Sequence, residues 1–381
     1  MTFQLNFLGT EPIDFSFVKS FSFTSSFFNL LPEANLVLNG ISAQFTSRVK
    51  KGTLIEVVFT DDSGKQYPIN MKVVNLKRDP VNKGTIMDSI TIHLVHELFF
   101  KDTLKSTSWG TDTSYISDIV LDVINKDFGR DYFNEINSCI TDEKPSIRYQ
   151  LNENSLDFIN NLSNKALKDN GPVYFYIDAF NRFNIMSVQE KTGVTPKFEL
   201  VPMLDSAQGQ YMGISSDPDM IERIPLLSYN LSNDANPCSI LNAIFTTDNF
   251  VSAENFSKSK CFGGYELING KTDSLTPSQT KYYSWCYTPS DAAALAAKEF
   301  FEAGVDSSYI AAYLGNLTSK IDVGTKVQFT FPMDEYLKRV SNDNTAVLSE
   351  SGQYLVFKVS YIYTGSDFKT KLHLLDITDS I

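Results

Sequence analysis

The chain has 381 residues, 29 phenylalanines, 18 tyrosines and a formal net charge of −12. Its length suggests two or three domains, and its many aromatic residues favour strands over helices. The negative charge argues against a protein that binds nucleic acid tightly, because binding through counterion release requires a surface dense in lysine and arginine. The four cysteines lie far apart without a CxxC pair, which argues against a zinc site and a disulfide scaffold.

The first 97 residues or so are predicted to form strands. Residues 3–7 and 15–23 alternate apolar and polar side chains, which places one face of each strand in a core. Asp61-Asp62-Ser63-Gly64 is typical of a hairpin turn between two further apolar runs. The adjacent basic pairs Lys50-Lys51 and Lys77-Arg78 are predicted to lie in solvated turns. Strands at this spacing predict a closed or nearly closed antiparallel barrel over residues 1–105.

Helical periodicity begins after Trp109. Apolar residues recur with a period of 3.6 at Ile116, Ile119, Val120, Val123 and Ile124, and Gly129 ends this helix. A second helix is predicted to begin at Asn154. It is followed by a short hairpin formed by residues 173–178 and 183–186. Residues 106–205 are therefore predicted to form an α/β unit of helices and a hairpin.

Residues 206–248 and 307–381 are predicted to form a second antiparallel barrel that is discontinuous in sequence. Residues 326–331 alternate strictly, and the runs 353–363 and 368–375 fold back through Gly365-Ser366. Residues 249–306 would be an insertion whose helix, at about 290–303, packs on the middle unit. The predicted fold class is α+β and dominated by β structure, with two barrels around an α/β unit.

No pattern in the chain indicates catalysis. There is no GxSxG, HExxH or phosphate-cradling glycine motif. His93 and His96 point to opposite faces of a predicted strand, so they cannot grip one metal ion. Asp61 suits a hairpin turn, and Asp217 and Asp219 flank a proline in another turn. We predict no enzymatic activity, no catalytic residue, no metal and no cofactor, and the lack of any run of ~18 apolar residues predicts no membrane insertion.

The order of several sequence runs carries a resemblance to a known family. The middle unit reads S-L-D-F-I-N-N-L-S-N-K-A-L and then G-P-V-Y-F-Y-I-D-A-F-N-R-F-N-I. Near the C-terminus, a capped helix precedes D-V-G-T-K-V-Q-F, and S-G-Q-Y-L-V-F-K-V folds back through F-K-T-K-L-H-L-L. This order resembles that of phage tail baseplate hub proteins, a family related to the hub half of type VI secretion spike proteins.

The resemblance implies two tube-type β-barrels in each chain and a homotrimer in which six barrels form a ring of approximate sixfold symmetry. Such a ring would join the sixfold tail tube on one face to a threefold central spike on the other, and would leave a lumen for DNA. The residues expected to lie in barrel-forming strands are Phe3, Phe15, Phe17, Val57, Ile90, Ile92, Val327, Phe329, Leu355, Phe357, Leu372 and Leu374.

The implied partners are the tail tube protein, a separate spike protein that supplies the tip, and also the tape measure protein and surrounding baseplate proteins. DNA would pass without specific binding. The expected location is the centre of the virion baseplate, after assembly in the cytoplasm of the host bacterium. Two alternatives stay open: a hub of a type VI secretion or other contractile injection system, and a tail-associated protein that binds carbohydrate or degrades peptidoglycan.

Overall fold

The computed structural model describes residues 1–79, 87–111, 114–141, 147–169, 171–202, 221–233, 242–246, 249–252, 266–269, 280–282, 291, 294–299, 301–302, 308–330 and 351–377. Strands dominate the described residues. The first elements in chain order are β1 Thr2–Phe7, β2 Glu11–Pro12, β3 Val18–Ser26, β4 Glu33–Ser42, α1 Ala43–Arg48, β5 Leu54–Thr60, β6 Gln66–Asp79 and β7 Met87–His96.

These strands form a curled sheet, which we call the first barrel. Their order is β1-β5-β6-β7-β4-β3, and β2 adds a short edge beside β1. Although β1 and β3 stand at opposite ends of this order, the rings of Phe3 and Phe21 lie 4.7 Å apart. The sheet therefore curls around a core to which Phe3, Leu5 and Phe7 contribute alternate buried side chains, as predicted.

The middle unit has a hydrophobic core of its own. Ile116, Ile119, Val120, Val123 and Ile124 are all buried there, as the helical period predicted. The elements of the unit are β8 Lys105–Trp109, α2 Ile116–Val123, β9 Glu135–Asn137, β10 Arg148–Glu153, α3 Ser155–Ser163, β11 Leu167–Lys168, β12 Gly171–Ile177, β13 Arg182–Ser187 and α4 Val188–Thr192, with a π-helical turn at Ile124–Phe128.

The second barrel is built from strands on both sides of the insertion. These are β14 Phe198–Pro202, β15 Glu222–Leu226, β16 Ser228–Asn233, β21 Ser308–Leu314, β22 Lys326–Phe329, β23 Gly352–Tyr363 and β24 Phe368–Asp376. β15 pairs with β14 and β16 pairs with β21, and the amide of Leu227 between them donates to the carbonyl of Tyr313 at 2.8 Å. β15 and β16 therefore act as one strand that bends at Leu227. It pairs with β14 at one end of the sheet and with β21 at the other, and so closes the second barrel.

The two barrels share one pairing pattern. In the first barrel the order is β5-β6-β7-β4-β3, and in the second it is β22-β23-β24-β21-β16, with every neighbouring pair antiparallel. The remaining strand differs, because β1 is antiparallel to β5 whereas β14 is parallel to both β22 and β15. The predicted fold class is confirmed, apart from these parallel pairs.

Two details of the prediction need correction. The barrels are not separate sheets, because β3 pairs with β23 and joins them into a single sheet. In addition, β14 pairs with β22 of the second barrel, so the boundary at residue 205 assigns this strand to the wrong unit. A two-residue period identifies the face that a strand buries but not the strand beside it, so neither pairing was visible in the sequence.

The insertion contributes a sheet of its own, formed by β17 Asn242–Thr246, β18 Asn249–Ser252, β19 Glu266–Asn269 and β20 Thr280–Tyr282. Residues 294–299 and 301–302 are helical and fall within the predicted helix. Among the described residues, no helix has both the length and the apolar character needed to cross a bilayer.

Candidate assembly site at the junction of the two barrels

The junction of the barrels is a six-residue antiparallel pairing. Residues 21–26 of β3 lie opposite residues 358–363 of β23. On the polar face, Thr24 Oγ1 and Ser360 Oγ lie 2.9 Å apart within hydrogen-bonding distance. At the end of β3, the amide of Phe27 donates to the carbonyl of Phe357 at 3.2 Å. Because a hydrogen-bonded strand pair tolerates little sliding or rotation, this junction fixes the orientation of one barrel relative to the other.

Aromatic packing under the junction reinforces this orientation. The ring of Phe59 in β5 lies 5.1 Å from Phe23 in β3 and 5.2 Å from Tyr361 in β23, measured between centroids. All three side chains are fully buried. The core of the first barrel thus continues across the strand pair into the second barrel.

A second aromatic group connects all four parts of the chain. Phe27, at the end of β3, lies 4.9 Å from the ring of Tyr174 in the middle unit, 6.1 Å from Phe301 in the insertion and 6.4 Å from Phe357 in the second barrel. Tilted and stacked contacts at these distances each add to the stabilisation from burial. We call these four residues the aromatic node.

A partly buried ion cluster connects the middle unit to the second barrel. Arg182 donates from Nε to Asp178 Oδ2 at 2.7 Å and from Nη2 to Asp322 Oδ2 at 2.6 Å. Burial, together with the negative charge of Asp178, raises the pKa of Asp322 to about 7, while Arg182 and the amide of Val323 act in the opposite direction. Removal of the guanidinium would leave two carboxylates close together in a poorly solvated place.

The D-V-G-T turn that contributed to the family resemblance lies at this same contact. Tyr176 Oη donates to the carbonyl of Val323 at 3.1 Å, and Lys326 Nζ donates to the carbonyl of Thr192 at 2.5 Å. Gly324 has a φ of +82°, and a Cβ there would lie 2.6 Å from Met186 Sδ. Only glycine fits this turn without strain or collision.

The insertion is anchored to the middle unit by two buried cations. Arg148 forms a bidentate pair with Asp291, with nitrogen–oxygen distances of 2.8 and 2.9 Å. Lys298 Nζ donates to the carbonyl and hydroxyl of Ser163 and lies 4.4 Å from the ring centroid of Tyr174. Burial lowers the pKa of Lys298 to about 7. These contacts tie residues 291 and 298 to the unit on which the predicted helix was expected to pack.

Of the twelve residues predicted to lie in barrel strands, two lie elsewhere. Phe15 and Phe17 belong to a short 3₁₀ helix capped by Asp14, whose carboxylate accepts from the amide of Ser16, so the strand begins at Val18 instead. The hydrogen bond of this cap stabilises a helical turn where the two-residue period of the sequence predicted a strand. The others lie in strands of the large sheet: Phe3, Val57, Ile90, Ile92, Val327, Phe329, Leu355, Phe357, Leu372 and Leu374. Their contribution to a tail tube stays a prediction.

The residues considered as metal ligands or carboxylate pairs have structural contacts. His93 Nδ1 lies 3.0 Å from Asn35 Oδ1, whereas His96 Nε2 lies 3.2 Å from Asn181 Oδ1. Asp61 accepts from the backbone amides of its own hairpin turn. Within the described part of the chain, no group of three His, Cys, Asp or Glu side chains could hold a metal ion. Asp217 and Asp219 lie outside the described residues.

An open cleft of about 970 Å³ lies between the first strand of the first barrel and β15 of the second. Two pairs of opposite charges lie in it. The α-amino group of Met1 lies 2.5 Å from Asp62, and Lys320 Nζ lies 2.5 Å from Glu222. Phe368, at the tip of the β23–β24 hairpin, is 38% exposed in this cleft. The cleft therefore combines two ion pairs with an exposed aromatic side chain, and aromatic residues are enriched in protein-binding surfaces.

The geometry defines a class of protein: two barrels of like topology, held at a fixed angle by a shared sheet and an α/β unit. No protein-family model matches the sequence, and no curated protein matches it. Solved structures do match. A tail protein from Neisseria meningitidis MC58 is similar over 98% of this chain and 96% of its own, with 9% identity and a TM-score of 0.59.

The 43 kDa tail protein of prophage MuSo2 from Shewanella oneidensis is similar over 98% of both chains, with 12% identity and a TM-score of 0.57. A component of the type VI secretion system from E. coli matches at 9% identity over 98% of this chain and 77% of its own, with a TM-score of 0.48. The resemblance drawn from the sequence is thus confirmed at the level of the fold: the chain folds like phage tail proteins.

Sequence reasoning missed the ion cluster and the equivalence of the barrels. Asp178 and Arg182 meet Asp322 only in the folded protein. Asp322 lies 140 residues after Arg182, and no sequence pattern indicates that they are in contact. The equivalence did leave a signal, because Gly-Thr directly precedes β5 at residues 52–53 and β22 at residues 324–325. A Leu or Ile, His, Leu triplet also occurs in both β7 and β24.

Proposed function

We propose that this protein is the baseplate hub of a bacteriophage tail, a structural trimer that joins the sixfold tube to a threefold spike. The observation that carries the proposal is the repeated strand order in two barrels joined at a fixed orientation. Two barrels per chain give six nearly equivalent units in a trimer, which is what a symmetry adaptor requires. The fold shared with phage tail proteins supports this role.

The junction contacts support the rigidity that such a ring needs. A ring closes only if each subunit sets the same angle between its two barrels. Here the β3–β23 pair, the aromatic node and the Asp178–Arg182–Asp322 cluster each hold that angle through a different kind of interaction. A flexible linker between barrels would not meet this requirement.

Native mass spectrometry tests the assembly. The expected mass is three times the 42.8 kDa of the chain, and negative-stain electron microscopy should show a ring with threefold or apparent sixfold symmetry. A chain that stays strictly monomeric at high concentration, including in the presence of its cognate spike protein, would refute the proposal.

In this proposal the lumen lets DNA pass without holding it. The net charge of −12 supports this, because a channel that neutralised many phosphates would slow the DNA. The protein should produce no gel shift of duplex DNA at physiological salt. Tight binding under those conditions would contradict a non-adhesive lumen.

The open cleft beside Met1 and Phe368 is a surface on which we expect a tube or spike protein to dock. The proposal also assigns the chain a structural and not an enzymatic role. Purified protein should therefore release no soluble fragments from peptidoglycan. Release that is lost when a single Asp or Glu is replaced would favour the hydrolytic alternative.

A further inference from the structure

Residues 50–53 before β5 and residues 322–325 before β22 form the same turn. In each turn the amide of the fourth residue donates to the carbonyl of the first, at 2.9 and 3.0 Å, and its hydroxyl accepts from the amide of the first, at 3.0 and 3.1 Å. The third residue is glycine in both, with φ values of +83° and +82°. The first residue differs, because it is Lys50 in one turn and Asp322 in the other. The turn therefore forms without a carboxylate.

The two residues that differ have different surroundings. Lys50 is exposed in its turn, as predicted for this basic pair, whereas Lys77 and Arg78 of the other pair lie within β6 instead of a turn. The side chain of Asp322 is only 13% exposed and pairs with Arg182 of the middle unit. The carboxylate of Asp322 is thus explained by the contact between the two units and not by the turn that carries it.

The two carboxylates of the ion cluster receive unequal numbers of hydrogen bonds. Asp178 accepts from four donors, which are the amides of Phe180 and Arg182, the Nε of Arg182 and the side-chain amide of Asn184. Asp322 accepts from two, which are Arg182 Nη2 at 2.6 Å and the amide of Val323 at 2.8 Å. Because each donor stabilises the ionised form of a carboxyl group, a proton added to the cluster binds to Asp322 and not to Asp178.

Two buried tyrosines near Asp322 give its carboxylate no hydrogen bond. The hydroxyl of Tyr176 donates to the carbonyl of Val323 at 3.1 Å instead. The hydroxyl of Tyr361 is fully buried and has no hydrogen-bond partner among the described residues. Burial raises the pKa of Tyr361, and the negative charges of Asp322 and Asp178 raise it further. The charge of Asp322 therefore acts on Tyr361 without a hydrogen bond that would stabilise it.

The charges of the cluster do not balance. It has two carboxylates, on Asp178 and Asp322, and one cation, Arg182. Burial acts to lower the pKa of Arg182, but the negative charges of both carboxylates and of Glu135 in β9 raise it. Within the described residues Lys191 of α4, which reaches the same turn, pairs with neither carboxylate. One excess negative charge is left in a poorly solvated place, and a single proton would neutralise it.

We propose that the Asp178–Arg182–Asp322 cluster holds one proton, on Asp322, when the middle unit and the second barrel are in contact, and that loss of this proton loosens the contact. The proton leaves Asp178 ionised beside Arg182 and removes the excess charge. Burial and the charge of Asp178 raise the pKa of Asp322 from 3.8 to about 7. The folded chain therefore binds the proton more tightly than the unfolded chain, so stability is gained as the pH falls through 7 and lost as it rises.

The weakening acts between the two units and not within either of them. Asp178 and Arg182 both belong to the middle unit, and Asp178 keeps its four donors whatever the pH. Asp322 is the partner that belongs to the second barrel. When both carboxylates are ionised they compete for one guanidinium, so the ion contact that crosses the boundary is the one that weakens. The second barrel should therefore be held more firmly in mild acid than in mild alkali.

Asp322→Asn tests the proton, because an amide is neutral at every pH. Urea denaturation of the wild type and the variant at pH 6, 7 and 8 gives the ratio of their unfolding constants. With a pKa of 3.8 in the unfolded chain and about 7 in the folded chain, the ratio of wild type to variant should rise about tenfold between pH 6 and pH 8. Asp367→Asn, at an exposed position in the tip of the β23–β24 hairpin, is the matched control, and its ratio should stay constant within about twofold.

Hydrogen exchange of the wild type tests the same proton without a substitution. Mass spectrometry follows peptides that cover residues 322–325 and residues 50–53, whose amides form the same hydrogen bonds. The turn of the first barrel is the internal control, because intrinsic exchange depends on pH alike in both turns and Lys50 is exposed to solvent. The protection of residues 322–325 relative to residues 50–53 should fall about tenfold from pH 6 to pH 8.

Two results would overturn the proton site. If Asp322 only bridges to Arg182, Asp322→Asn should cost the same at every pH, and the ratio of unfolding constants should stay flat. Relative protection that does not change from pH 6 to pH 8 would be equally decisive, and it decides alone if the variant does not fold. The cluster lies within one chain, so both measurements apply whether the protein is a monomer or a trimer, and failure of the proposed hub would leave their result unchanged.

Discussion

Replacement of Gly324 by alanine should destabilise the protein more than the same replacement at Gly52. Both glycines occupy equivalent turns with φ near +80°, so both substitutions incur left-handed strain of about 1–2 kcal/mol and both reduce the entropy of the unfolded chain alike. The difference lies in the surroundings. A Cβ at Gly324 would lie 2.6 Å from Met186 Sδ, whereas a Cβ at Gly52 would have no atom within 4 Å.

The left-handed strain and the change in unfolded-state entropy are the same in both variants, so they cancel when the two variants are compared. What remains is the cost of inserting a methyl group between the turn and the middle unit, which is about 1–3 kcal/mol for a tightly packed site. Met186 is 3% exposed, so its side chain has little room to withdraw. The free energy of unfolding should therefore be lower in Gly324→Ala than in Gly52→Ala by about 1–3 kcal/mol. Urea denaturation followed by tyrosine and tryptophan fluorescence measures this difference. Equal losses in the two variants would refute the tight contact.

Three further outcomes follow from the junction contacts. Arg182→Gln should cost about 3–5 kcal/mol because it leaves two poorly solvated carboxylates without their cation, while Arg48→Gln, which breaks an exposed pair, should leave the thermal midpoint unchanged. Burial lowers the pKa of His96 from 6.5 to about 4, so the unfolded chain binds the extra proton between these values and stability should fall as the pH drops through them. His96→Gln should remove about 3 kcal/mol of that fall, as judged by calorimetry from pH 7 to 4, and an unchanged pH slope would contradict the assignment. Phe27→Ala should cost about 3–5 kcal/mol in urea denaturation, whereas Phe99→Ala, at a side chain that is 54% exposed, should cost far less; similar losses would show that the aromatic node does not hold the units together.

The sequence predicted most of what depends on local periodicity. The alternation in β1 identified a strand and its buried face, and the 3.6-residue period identified α2. The alternation in β22, β23 and β24 identified strands, but β23 is buried on both faces and Lys326 and His373, on the polar faces of β22 and β24, are buried as well. These features are readable because side-chain direction repeats with the backbone geometry of each element. The two barrels around an α/β unit followed from the order of such elements.

What escaped prediction depends on residues that are distant in the chain. Neither the β3–β23 pair nor the ion pair of Arg182 with Asp322 has a sequence spacing that would reveal it. Residues 15–17 form a 3₁₀ helix although their sequence alternates like a strand, because the amide of Ser16 donates a hydrogen bond to the carboxylate of Asp14. Parallel pairing of β14 was hidden for a similar reason, since five residues of strand character do not specify the direction of a neighbour.

The pairing of β3 with β23 also has a consequence for synthesis. Thr24 and Ser360 are 336 positions apart, so the growing polypeptide can finish the first barrel long before the strand that covers β3 leaves the ribosome. During that interval β3 presents bare amides and carbonyls, and a nascent neighbour on the same messenger could capture them. Slow translation of the last third of the gene should therefore increase aggregation of newly made chains, and chaperones that shield strand edges should reduce it.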